Sequence, residues 1–545
     1  TIDSNTGIGI QRLYNSTLTN STISNNLSGG LADVQNSSLQ NVIIDGNKMV
    51  AGTVGSGGFH GAGISYMQNS ILTNVTIKNN RTTSGHGGGI YCYVGGGNTF
   101  ENVTIKNNHA LFGGGIGLYG DNVDINFSDT DKNNVYENYA IKGTDISWDA
   151  ANSELSIVLD TFTVAASNDY YAYSYDNSAT ITISNTNHTV DPIVQNAYVD
   201  PAGSNDNSGT SASPFKTISY AMLAAYANSG LPCTIHLADG TYSPSTNGEY
   251  FPLGGKNYVS IAGTSQAGTI LNADSLTRIF YLKDIIDVNM NNLTVTNGTI
   301  ILNNSGFINQ GGGGIHIDNT NLNLDSVTIS YNSENQSGLG GGIYIGYESV
   351  INAQNCIIDN NSSDYDGGGV FINEGNNKDN SFINTIFSNN TAVHRGGAID
   401  GRATITIQSC TFDSNTSEDA SALFCFDGVL IDNSLFINNI AQSEDGGTIK
   451  YHHGYTDFSI TNSIITNNNK GIIIIDQNQG PDFKLNLINS IVYDNENFNL
   501  SGTVVDYNSI WESDDPSPMF ADTANGDYHL QDVSPCIGAG IDSIE

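Results

Sequence analysis

The segment Asn74-Val75-Thr76-Ile77-Lys78-Asn79-Asn80 returns as Asn102-Val103-Thr104-Ile105-Lys106-Asn107-Asn108, 28 residues later, and Gly87-Gly88-Gly89-Ile90 returns as Gly113-Gly114-Gly115-Ile116. The later sequence keeps the scheme, with glycine-rich runs ending at Ile315, Ile343, Val370, Ile399 and Ile449, at spacings of 28, 27, 29 and then 50 residues across two coils. A degenerate copy, Ala422-Leu423-Phe424, fills the longer gap. A unit of this length has room for a few short strands and no helix, so it buries its apolar side only by stacking on copies of itself. That is an all-β, right-handed parallel β-helix, or β-solenoid. The period is too short for a propeller blade, and the Leu/Asn consensus of a leucine-rich repeat is missing.

Within each unit, alternate Val, Ile, Leu and Phe side chains point into a narrow core, while Thr, Lys and Ser point out. The strands end in Asn, as in residues 385–390 (TIFSNN) and 434–439 (SLFINN). These Asn residues are expected to form ladders with an amide bond from each coil to the next. The glycine runs lead straight into apolar strands, which fits a repeated corner with positive φ and close backbone approach.

The repeats fade near residue 150. The segments 170–175 and 181–184 read as irregular strands closing a first array over residues 1–190, and Asp191-Pro192 breaks the chain. A second array spans 191–545, with a cap at about 196–245, coils at about 255–510 and a closing segment at 511–545. Thr217 to Tyr226 reads as an amphipathic helix, with Ile218, Met222, Leu223 and Tyr226 along one side, placed to cap the second array. The chain opens at Thr1 inside a repeat-like segment, so it reads as a piece of a longer exported protein whose signal and anchor lie outside it. No stretch reaches the length of a membrane-spanning helix.

Charge narrows the partners. The chain carries 17 Lys plus Arg against 54 Asp plus Glu, a formal charge of -37, which repels nucleic acid over most of the surface. Six cysteines lie far apart without metal or redox spacing. Cys356 and Cys410 occupy equivalent places with Thr385 in the coil between, a separation of roughly 9–10 Å that is too long for a disulfide. They read as buried free thiols, with a bridge elsewhere as the alternative.

The opening at 197–221 (AYVDPAGSNDNSGTSASPFKTISYA), the turn Leu237-Ala238-Asp239-Gly240-Thr241-Tyr242 and the ending from Pro518 to Gly540 resemble the pectate-lyase-like β-helix domains of the bacterial choice-of-anchor Q type. Coils such as Phe387-Ser388-Asn389-Asn390 with Gly396-Gly397-Ala398-Ile399 are similar to those of chlamydial polymorphic outer-membrane proteins and methanogen adhesin-like proteins. The resemblance implies export and an adhesin-like role at the cell surface. It leaves activity open, because these families are defined by architecture.

Coils aligned on their glycine runs bring charged and aromatic residues into stacks on both flanks. On the flank before each run this stacks Asp364 and Asp366, then His394 and Arg395, then Glu418 and Asp419, then Glu444 and Asp445. Asp364, Asp366, Glu418, Asp419 and Asp445 are candidate calcium ligands, and the alternative is an Arg395 ion pair with neighbouring coils. On the following flank come Glu374 and Lys378, Asp400 and Arg402, Asp427, then Tyr451, His452, His453 and Tyr455. Acids, a few cations and aromatics in one strip make a candidate glycan-binding groove of Arg395, Asp400, Arg402, Lys378, Tyr451, His452, His453 and Tyr455. Gly85-His86-Gly87 matches a polygalacturonase element, but it sits in a corner run without that family's acidic partners and reads as structural. The expectation is a non-enzymatic extracellular or cell-surface module that binds glycans or another surface. The alternative is a calcium-dependent lyase acting on acidic polysaccharide, and oligomeric state stays open.

Overall fold

The computed structural model describes residues 1–49, 60–82, 85–93, 96–121, 125–151, 153–175, 179–300, 311–335, 338–373, 378–426, 428–452, 458–475, 484–495, 503–511 and 517–538. The chain is an all-β, right-handed parallel β-solenoid. It folds as two compact units, one holding Thr1–Ile235 with Pro244–Val259, the other holding His236–Ser243, Ser260–Ile300 and the chain from Gln310 onward.

In the first unit the repeated segments lie in register. Thr76, Ile77 and Lys78 pair with Thr104, Ile105 and Lys106, and these pair onward with Asn134, Val135 and Tyr136. The alternation predicted from the sequence holds, since Val75, Ile77, Val103 and Ile105 are buried and the lysines are not. In the second unit Ile315, Ile343, Val370, Ile399, Leu423, Ile449 and Ile472 form one column, strand on strand. The degenerate copy at Leu423 therefore occupies its full place in the stack.

Two side-chain ladders tie the coils together. In the first unit Asn26, Asn47, Asn80, Asn108 and Asn138 each donate from Nδ2 to the Oδ1 of the next at 2.8–3.0 Å, the last of them giving to Asp145 at 2.9 Å. In the second unit the ladder runs from Asn332 through Asn361, Asn390, Asn415, Asn439 and Asn468 to Asn495. Each amide also reaches a backbone carbonyl, as Asn390 does to Ile358 O at 2.8 Å, so a fully buried polar group is satisfied. A further ladder places Thr385 between Cys356 and Cys410, as expected, and continues to Ser434, whose Oγ accepts from the Cys410 N–H. All six cysteines are free thiols. Five are buried, and Cys536 is partly exposed.

The glycine corners follow from contact. The first glycine of a run takes positive φ, 71° at Gly340 and 63° at Gly396, and a Cβ on Gly341 would lie 2.2 Å from Ser362 O.

The helix is shorter than expected. It spans Ile218–Ala224, with Thr217 as N-cap accepting from Tyr220 N. The Glu249 carboxylate accepts from Ile218 N (2.6 Å) and Ser219 N (3.0 Å), so the helix start is satisfied from within the first unit. Tyr226, expected on the helix face, lies beyond it in the strand Ala225–Tyr226, paired with Ile193–Val194 and half exposed. Strand pairing wins there over helix propensity. Near the C-terminus Phe520–Asp522 and Asp527–Leu530 form an antiparallel pair. No helix among the described residues is long and apolar enough to cross a membrane.

Candidate functional site

In the second unit, the strand after each glycine corner buries its outer residues in the core, as Ile343 and Ile345 do around Tyr344. The middle residue points the other way. Stacking places these middle residues in one column: Tyr281, His316, Tyr344, Phe371, Asp400, Phe424 and Lys450. All are buried. The first four are rings piled on one another, with centroids 4.5, 4.7 and 5.7 Å apart and planes within 13°. Burial holds His316 neutral, and its Nδ1 lies 3.1 Å from Gly311 O.

The corner residues form a second column, in which Asp366 sits between Leu339 and Arg395 in adjacent coils. The register read from the glycine runs thus places Asp366 against Arg395. Where the two columns meet, four charges converge. Asp366 Oδ2 accepts from Arg395 Nη2 at 2.9 Å and from Arg402 Nη2 at 2.8 Å, while its Oδ1 lies 3.0 Å from His394 Nδ1. Asp400 Oδ1 accepts from Arg402 Nε at 3.2 Å, and its Oδ2 is 3.7 Å from Arg395 Nε. The guanidinium of Arg395 lies 4.6 Å from the Phe424 centroid, and that of Arg402 lies 4.9 Å from Phe371. Phe426 stands beside both, at 5.9 and 5.5 Å.

Exposure decides what this cluster offers. Both aspartate side chains are 0% exposed, while each arginine side chain is 18% exposed. Burial pushes the Asp400 carboxyl above the usual carboxylate range, with Arg402 pulling it back. A substrate atom has no direct path to either carboxylate. What solvent meets is guanidinium edge, His394, Tyr365, whose ring centroid is 5.1 Å from His394, and the partly exposed Phe426 and His452. Such a face donates hydrogen bonds and presents rings, which suits recognition better than proton transfer.

The other expected residues are dispersed. Lys378 pairs with Glu348 at 2.9 Å on the surface. Tyr451 points inward, 1% exposed, with its ring 5.2 Å from Phe458, so it is a core residue and not part of a groove. His452 packs beside Phe424 and Phe426. Asp364, Glu418 and Asp445 are exposed, whereas Asp419 binds the Lys450 ammonium. Among the described residues no three His, Cys, Asp or Glu side chains gather closely enough to hold a metal ion. His453, Tyr455, Glu374 and Asp427 lie outside the described residues.

The residues missed from sequence are Tyr365, Phe371, Phe424, Phe426 and Lys450. The signal was present for Phe371, Phe424 and Lys450, since each is the middle residue of a strand counted from its glycine run. His86, in the first unit, is partly buried and packs against Phe112 at 5.1 Å and His60 at 5.3 Å. Burial lowers its pKa to about 3, so it is a neutral packing residue.

A comparison with protein families matches residues 201–507 to the one described as "Protein of unknown function (DUF1565)". No curated protein matches. Among solved structures, a substituted pectin methylesterase in complex with a hexasaccharide is 14% identical, with a TM-score of 0.24 over 62% of this chain and 99% of that one. The pectin methylesterase PemA from Erwinia chrysanthemi is 12% identical, with a TM-score of 0.25 over 65% and 100%.

Proposed function

We propose, from the premise that this chain belongs to the DUF1565 family of proteins of unknown function, that it is an extracellular, cell-surface β-solenoid that binds glycans in an adhesin-like role. The observation that carries this reading is the Arg395–Arg402 cluster. Two of the few cations in a chain of formal charge -37 are fixed side by side, with buried acids behind them and aromatic rings around them. Held this way the guanidiniums lose little further entropy on binding, and their free edges donate to sugar hydroxyls or carboxylates while Tyr365 and Phe426 cover ring faces. The two solvent-shielded aspartates support binding over catalysis.

The test is a glycan array covering neutral and uronate-containing oligosaccharides, read with the parent chain and with Tyr365→Ala. Tyr365 is 44% exposed, so its removal spares the fold. The expected result is selective retention of a glycan class, weakened at least fivefold by Tyr365→Ala, roughly the 1 kcal/mol of one aromatic contact. Retention unaffected by the substitution moves binding away from this face. A calcium-dependent rise in ultraviolet absorbance on uronate polymers replaces the binding reading with the lyase one.

A further inference from the structure

The first unit carries a second column of basic side chains. After Asn26, which Leu27 follows, the ladder asparagines there are followed in turn by Lys48 after Asn47, Arg81 after Asn80, His109 after Asn108 and Tyr139 after Asn138. Lys48 pairs with Arg81, Arg81 with His109 and His109 with Tyr139 in adjacent coils. The second unit places Ser333, Ser362, Thr391 and Thr416 after its ladder asparagines, so the basic run belongs to the first unit alone.

Arg81 is the centre of this column. Its backbone N–H is fixed on Asn47 O at 2.8 Å. Its Nε and Nη2 are out of contact with water and have no hydrogen-bond partner, and neither has the buried Nδ1 of His109. Those two arginine N–H groups form the side-on fork of a guanidinium, the edge that matches the two oxygens of a carboxylate. Tyr250 closes the place: its ring stacks on His109 at 5.3 Å and on Tyr139 at 4.8 Å, and the Arg81 guanidinium carbon is 5.9 Å from its centroid. No acidic side chain pairs with Lys48 or Arg81 among the described residues. Arg81 as a whole keeps some exposure, so its shielded fork lies just beneath the surface.

A desolvated guanidinium fork without an acceptor is unfavourable, and a chain with 54 acidic residues had many ways to supply one. We propose that Lys48, Arg81 and His109, walled by Tyr250, form a binding site for the carboxylate of a small organic acid or sugar acid. Arg81 takes both oxygens, Lys48 adds long-range attraction from the neighbouring coil, and the Tyr250 ring limits the depth. This site lies in the first unit and stands whether or not the second unit binds glycans.

Calorimetric titration of the full chain with galacturonate, acetate and galactose tests it, beside thermal unfolding with and without galacturonate. The expected result is saturable binding of the acids and none of galactose. Equal affinity for acetate and galacturonate means the carboxylate alone is read; at least tenfold tighter galacturonate means the ring is read as well. Arg81→Lys keeps the charge but not the fork and should weaken binding at least tenfold. Arg81→Gln should abolish the rise in unfolding midpoint caused by galacturonate, while its own midpoint without ligand equals or exceeds that of the parent. Failure of both acids to bind, binding unchanged in Arg81→Lys, or a ligand-free Arg81→Gln less stable than the parent would each overturn the site.

Discussion

The two units each set arginines against neighbouring coils of the stack and finish them differently. In the second unit Arg395 and Arg402 find Asp366 and Asp400 within 3.7 Å and lie on Phe424 and Phe371. In the first, Arg81 has Lys48 and His109 as its coil neighbours, and its fork is left open. A solenoid thus converts the choice of one residue per coil into an electrostatic column. An acid in the next coil produces a closed ionic cluster; a base or imidazole there produces a site that asks for an anion.

The comparison is broken most directly at Asp366. Asp366→Asn leaves Arg395 and Arg402 sharing Asp400 alone, so the second unit comes to resemble the first. Removing one partner of a buried ion pair destabilises by about 3–5 kcal/mol. The check is the urea midpoint followed by far-ultraviolet circular dichroism. A loss below about 1 kcal/mol would mean that the cluster is wetter than its 0% exposed carboxylates imply.

Much of this architecture was legible in the sequence. Counting from the glycine runs placed Ile315, Ile343, Val370 and Ile399 in one column and set Asp366 against Arg395, because a solenoid turns sequence period into spatial neighbourhood. The parity of the next strand was equally available: Ile449 points in, so Lys450 points out and Tyr451 in, and treating Tyr451 and His452 as one groove ignored that alternation. The end of the helix was not available, because Ala224, Ala225 and Tyr226 differ little in propensity and the pairing with Ile193–Val194 is set by tertiary structure. The open fork of Arg81 was not available either. Its signal, Lys, Arg and His after successive ladder asparagines, is plain once the ladder is known, but an unsatisfied donor is a property of three-dimensional surroundings.

Buried carboxylates sharpen the contrast through pH. Asp145 ends the first unit's Asn ladder, fully buried, and burial raises its pKa to about 7 despite the hydrogen bonds from Asn138 and Thr163. Asp400 is raised for the same reason but has two guanidiniums beside it. A carboxyl whose folded pKa lies above its unfolded value near 4 contributes stability that is full below pH 4 and is lost as pH rises to 7. The slope from one such group reaches roughly 1.4 kcal/mol per pH unit. Asp145→Asn keeps the Oδ1 acceptor for Asn138 and has no proton to lose, so it should flatten the fall in urea midpoint between pH 4 and 7 and be the more stable form at pH 8. Superimposable profiles for the two proteins would place Asp145 among ordinary ionised carboxylates.

The smallest effect in stability tests the comparison from the other side. His109→Asp gives Arg81 an acid in the next coil, the relation that Asp366 bears to Arg395. The gain of an ion pair offsets the lost ring stack on Tyr250, an interaction of about 0.5–1.5 kcal/mol, so the net change should stay within about 1 kcal/mol. Binding should respond far more than stability, because an internal carboxylate then occupies the fork and galacturonate no longer binds. If His109→Asp binds galacturonate as the parent does, the fork is not where the acid sits, and the difference between the two arginine columns is one of packing alone.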